Sequence, residues 1–111
     1  MVLAVRTLTY HSDLGDVPVP ISISAPETGI YGWKCDYKIA WPHEAYESAG
    51  WGFDAVQAIH LTLEKIGIEL YTSEYHHSGR LSWTERGKGY GFPVPSNGRD
   101  LLIGDDKRFF G

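Results

Sequence analysis

The chain has 111 residues, 42% of them hydrophobic and 14% aromatic, with a formal charge of −4. That length suffices for one domain with its own core, and 14 acidic against 10 basic residues leave no electrostatic footprint for nucleic acid or anionic lipid. The single cysteine, Cys35, excludes an intrachain disulfide and the paired-cysteine patterns of redox and zinc sites.

A lone thiol fits a reducing compartment. The first twelve residues, MVLAVRTLTYHS, hold no basic stretch followed by an apolar run of signal-peptide length, and no segment approaches the roughly 18 apolar residues of a membrane span. The expectation is a soluble, cytoplasmic protein folded as one compact domain over residues 1–111, without repeats or long linkers.

Val2 to Tyr10, rich in Val, Leu, Thr and Tyr, reads as a strand. After the turn-forming residues His11 to Asp16, the apolar Val17, Val19, Ile21 and Ile23 alternate with Pro18, Pro20, Ser22 and Ser24, which predicts a second, half-buried strand. Pro18 and Pro20 lack amide donors on the same lateral side, so the first half of that strand must run beside an open edge or a bulge. Pro26-Glu27-Thr28-Gly29 reads as a compact turn.

The third strand places Tyr31, Trp33, Cys35, Tyr37, Ile39 and Trp41 on one face and Lys34, Asp36 and Lys38 on the other. Trp41-Pro42 ends it. From Phe53 the period changes: Val56, Ile59, Leu63, Ile66 and Leu70 recur at helical spacing, with Asp54 suited to the N-terminus. Ala55, Ala58 and Gly67 would let this helix lie close to the aromatic face of the sheet; Gly67 could alternatively be its C-cap.

Thr72 to Gly79 is polar and turn-forming, and Arg80 to Thr84 reads as a short strand with Leu81 and Trp83 on one face. Gly87, Gly89, Gly91, Pro93 and Pro95 impose an irregular loop. Ser96 or Asn97 could cap one short helical turn through Asp100, Leu101, Leu102 and Ile103, and residues 104–111 read as a frayed C-terminal tail. The predicted fold class is α+β: a twisted, largely antiparallel sheet of about four strands in the order βββαβ, with one long helix packed on one face. If the strands flanking the helix are parallel neighbours, that crossover is right-handed.

Chemistry-bearing residues are few. Cys35 sits mid-strand on the aromatic face, with neither a helix start nor a glycine-rich turn to activate it, and reads as core. His11, His43, His60, His76 and His77 show no metal-ligand spacing; His76 and His77 with nearby Glu74 could hold a transition metal, and His43 beside Glu44 could serve acid-base chemistry. Gly87-Lys88-Gly89-Tyr90-Gly91 superficially suggests a phosphate cradle, yet the extended Phe92-Pro93-Val94-Pro95 follows where a helix is required. Trp33, Tyr37, Trp41 and Trp83 read as core. Trp51, Tyr90 and Phe92, in glycine-bounded segments, are the candidates for a partner-binding surface.

The order Trp33-Lys34-Cys35-Asp36-Tyr37, then Gly52-Phe53-Asp54-Ala55-Val56-Gln57-Ala58, then Ile66-Gly67-Ile68-Glu69-Leu70-Tyr71 and Gly91-Phe92-Pro93, resembles a family of small uncharacterised bacterial proteins, over roughly residues 17–95. The resemblance implies bacterial origin and a stand-alone domain, and it carries no reaction or cofactor. The expected function is therefore a non-catalytic interaction or accessory module, a homo-oligomer or the binder of another protein, acting through the proline-marked sheet edge or the loop aromatics. The alternative is a small-molecule or metal-binding protein, or a weak hydrolase, using His43, His76 or His77. No catalytic residue, metal or cofactor is assigned.

Overall fold

The computed structural model describes residues 1–111. Its first two strands, β1 (Val2–Ser12) and β2 (Gly15–Ser24), form a hairpin closed at Ser12 and Gly15, with Tyr10 opposite Val17 and Leu8 opposite Val19. Gly15 adopts φ +121°, the positive angle the tight connection needs. On its other side β2 pairs with β4 (Gly32–Ala40) only from Ile21 to Ile23. Pro18 and Pro20 lie outside that contact, so their missing donors face no ladder, as the proline spacing requires. The residues read as a compact turn instead include a short strand, β3 (Glu27–Gly29), which pairs with the start of β4.

Six antiparallel strands are present, more than the four legible in the sequence. The main addition is β5 (Ala45–Gly52), which pairs with β4 from Trp33 to Ala40. Its helix-facing positions include Ser48, Gly50 and Gly52, too small to produce an apolar alternation. Their size follows from the closeness of α1 (Ala55–Tyr71): a Cβ on Gly50 would stand 2.3 Å from Thr62 Oγ1, and one on Gly52 2.5 Å from the Ala58 nitrogen. The short β6 (Leu81–Ser82) lies at the far edge, antiparallel to β1, so no parallel crossover arises.

Asp54 caps α1 by accepting from the Gln57 amide at 2.8 Å, as its place before the apolar stripe suggests. The buried stripe runs through Ala58, Thr62, Ile66, Gly67, Leu70 and Tyr71, while Val56, expected inward, is exposed, because Ala58 rather than Val56 is the first-turn residue turned onto the sheet at Gly52. Thr62 Oγ1 donates to the Cys35 carbonyl at 3.0 Å, tying helix to strand. Gly67 is neither a cap nor a contact with the aromatic face: a Cβ there would lie 1.8 Å from the Pro93 oxygen, so its smallness lets the C-terminal segment cross α1.

Beyond α1, Ser73 caps the single-turn α2 (Glu74–His77), and Tyr75 stacks on Trp41 at 4.7 Å and meets Tyr10 edge-on at 5.0 Å. The remaining chain folds back as a loop, a 3-10 turn (Ser96–Leu101) and α3 (Gly104–Phe110). Residues 104–110 are thus helical where a frayed tail was expected. Asp106 accounts for the difference: it is 2% exposed and accepts from the Tyr71 hydroxyl and the Tyr90 and Gly91 amides, docking the helix. One buried cluster joins Leu8, Ile21, Cys35 and Ile39 of the sheet to Ile66 and Leu70 of α1 and to Tyr90, Phe92, Val94 and Leu102. No helix is long and apolar enough to cross a membrane.

Candidate functional site

The three aromatic candidates separate in the structure. Tyr90 and Phe92 are buried, because Gly89 and Gly91 take φ values of +89° and +75° and turn the loop onto the core. Neither ring is available to a partner. Burial also pushes the Tyr90 phenol upward from its ordinary value, with Asp106 adding to the shift. Trp51 remains 51% exposed on β5, with Lys34 Nζ 5.5 Å from its ring centre.

Trp51 belongs to a larger feature. The β3–β4 turn brings Ile30 and Tyr31 beside the end of β5, where a Cβ on Gly32 would touch the Gly52 oxygen at 2.7 Å. Phe53 precedes the helix cap and Val56 occupies the first turn of α1. Ile30, Tyr31 and Phe53 are each at least 90% exposed and Val56 is largely so, which gathers five large apolar side chains at one end of the molecule. Phe53 stands where a hydrophobic staple would fold back onto the helix, yet its ring projects into solvent. Tyr31 was expected inward with Cys35; it lies in the turn before Gly32, the first paired residue of β4. Apolar residues inside a glycine-flanked turn were the sequence signal for this tip.

The histidines do not converge. His76 packs between Tyr71 and Tyr90, with Nδ1 2.5 Å from the Tyr90 hydroxyl, and burial, aided by neighbouring His77, lowers its pKa. His77 is exposed, and His43 borders a shallow recess of about 270 Å³ with Trp41, Glu74 and Tyr75. His60 lies 3.7 Å from Glu64 on the outside of α1. No three His, Cys, Asp or Glu side chains are placed to share a metal ion. Cys35 is fully buried, its thiol donating to the Ser24 carbonyl at 3.3 Å, and burial raises its pKa.

Sheet register assembles one further cluster that sequence spacing did not reveal. His11 Nδ1 lies 2.9 Å from Asp16 Oδ1, and its Nε2 lies 2.8 Å from Ser82 Oγ. The connectivity is that of a nucleophile, a base and an orienting acid. Ser82 is only 5% exposed, however, whereas Asp16 lies open to solvent. A catalytic relay needs the reverse, an accessible nucleophile and a sheltered acid; here the three side chains tie β6 and β2 to β1.

Arg6 was also missed, because nothing local distinguishes a lone basic residue in a strand. Its guanidinium stands 3.9 Å from the Trp83 ring and 4.9 Å from Phe92, and Nη1 donates to the Tyr90 and Gly91 carbonyls at 3.2 and 2.9 Å. Trp83, expected in the core, is a partly exposed cover for this cation, while Trp33 and Trp41 are partly buried and Tyr37 is buried. Burial lowers the Arg6 pKa, with Asp106 opposing that shift.

The chain belongs to the family described as Domain of unknown function (DUF6968), whose model matches residues 4–94. No curated protein and no solved structure matches it. The matched span contains β2 to β6, α1, α2 and nearly all of β1, and ends before the 3-10 turn and α3.

Proposed function

We propose that the protein is a non-catalytic, cytoplasmic interaction module that pairs with a second copy of itself through the apolar tip. The observation that carries this is the placing of Ile30, Tyr31, Trp51, Phe53 and Val56, each more than half exposed, at one end of the molecule by a turn, a strand end and a helix start. Grouped exposed side chains of this size are characteristic of binding surfaces, whereas single exposed apolar residues are ordinary. A second copy suits the charges around the tip: Lys34, 3.3 Å from Asp36 and opposite Glu27 in the sheet register, together with Asp54 at the helix start, supplies both signs, so a twofold contact can set acid against base. A cytoplasmic setting is supported by the single buried thiol. Binding is favoured over catalysis by the positions of the reactive side chains, with His76 held against Tyr90 and Cys35 sealed beneath α1.

Light scattering coupled to size-exclusion chromatography tests the proposal. The expected particle has twice the 12.4 kDa chain mass at micromolar concentration, and Ile30→Asp with Phe53→Asp returns it to one chain with an unchanged circular dichroism spectrum. A wild-type protein that stays at one chain mass over that range overturns self-association.

A further inference from the structure

A groove of about 530 Å³ opens between the first half of β1, the middle of α1 and the loop before the 3-10 turn. Ala4, Val5, Leu63, Pro93 and Phe110 form mostly apolar walls, Arg6 lies within it, and His60 stands at the side supplied by α1. The volume falls in the range of small-ligand sites. It is separate from the tip and from the shallow recess at His43.

Arg6 sets the chemistry. Only Nη1 donates within the chain, and Nε and Nη2, which have no partner there, are not fully buried in the half-buried Arg6 side chain. The guanidinium makes no ion pair. Asp106, the acid acting on it, has both oxygens engaged by Tyr71 and the Tyr90 and Gly91 amides. A planar cation fixed between Trp83 and Phe92, with free donors beside an apolar wall, matches one planar carboxylate attached to an apolar chain or ring. A dianion would find a single fixed positive charge, and an uncharged apolar molecule would leave the guanidinium donors unpaired.

We infer that the groove beside Arg6 is a binding site for a small apolar monocarboxylate, held by the guanidinium at one end and the Leu63 and Phe110 surface along its length. Titration calorimetry of the full chain with decanoate and with decanol tests this, with Ala4→Trp as the blocking variant because Ala4 is an exposed residue of the groove wall and none of the Arg6 contacts involves it. One decanoate per chain is expected, with decanol weaker by about tenfold or more and binding lost in Ala4→Trp. Absence of decanoate binding overturns the ligand class. Equal binding of decanol overturns the role of Arg6, and undiminished binding to Ala4→Trp overturns the location.

Discussion

The Tyr71 hydroxyl donates to the Asp106 carboxylate at 2.5 Å, joining the end of α1 to α3 across 35 residues of sequence. The same carboxylate accepts from the Tyr90 and Gly91 amides at 2.7 Å each. All its acceptor contacts are with donors, so an amide in its place turns an NH2 group toward an N–H or O–H. Asp106→Asn is expected to lower unfolding free energy by about 2–3 kcal/mol, read as a shifted urea midpoint with unchanged cooperativity.

Gly50→Ala and Gly79→Ala separate a steric cost from a conformational one. Gly50 has ordinary backbone angles, but its added Cβ would strike Thr62 at 2.3 and 2.6 Å, and the loss is expected to reach about 3 kcal/mol. Gly79 has φ +74° and open space around it, so alanine there costs about 1 kcal/mol. Thermal or urea unfolding of the two variants gives the comparison.

Acid sensitivity should trace to His76. Its folded pKa lies below the ordinary 6.5, so the unfolded chain binds the proton more readily. The stability this group contributes is complete above pH 6.5 and declines as pH falls from there toward the folded value. His76→Gln is expected to flatten the unfolding free energy against pH in that window. An unchanged slope assigns the acid response to other groups.

At alkaline pH the buried phenols act in the opposite direction. Burial raises Tyr37, Tyr71 and Tyr90 above the ordinary 10, so stability is retained below that value and lost as pH rises past it, when the unfolded chain releases protons first. Tyr75, also buried, is raised in the same sense, so ultraviolet titration should show four of the seven tyrosines ionising late, Tyr37, Tyr71 and Tyr90 among them only together with unfolding.

Native Cys35 should resist a bulky disulfide reagent and react at the rate the chain opens, accelerating in urea, because the thiol has no exposed surface. Rapid labelling of the folded protein would contradict the position of α1 over β4.

Particular residues show what the sequence revealed. Cys35, Tyr37 and Ile39 follow a two-residue period because β4 buries one face, so that strand was legible, as were the Asp54 cap and the stretch at Pro18 and Pro20 left open on the β4 side. β5 was not, since Ser48, Gly50 and Gly52 answer to the nearness of Thr62 and Ala58, a tertiary fact. Asp106 sits in a run of charges and finds its partners 15 to 35 residues away, with no local mark. Of the proposed surface, Trp51 was identified; Tyr90 and Phe92 turned inward, and Ile30, Tyr31, Phe53 and Val56 replaced them. Arg6 acquires its meaning only once Trp83 and Phe92 close around it.

The three-residue contact between β2 and β4 makes the sheet a jointed plate. The ladders on either side are several times longer, and α1 rests chiefly on the β4 and β5 panel. Thermal strain therefore concentrates at Ile21, Ser22 and Ile23, where few bonds resist a scissoring of one panel against the other. Deuterium should enter those amides before it enters the middle of either panel.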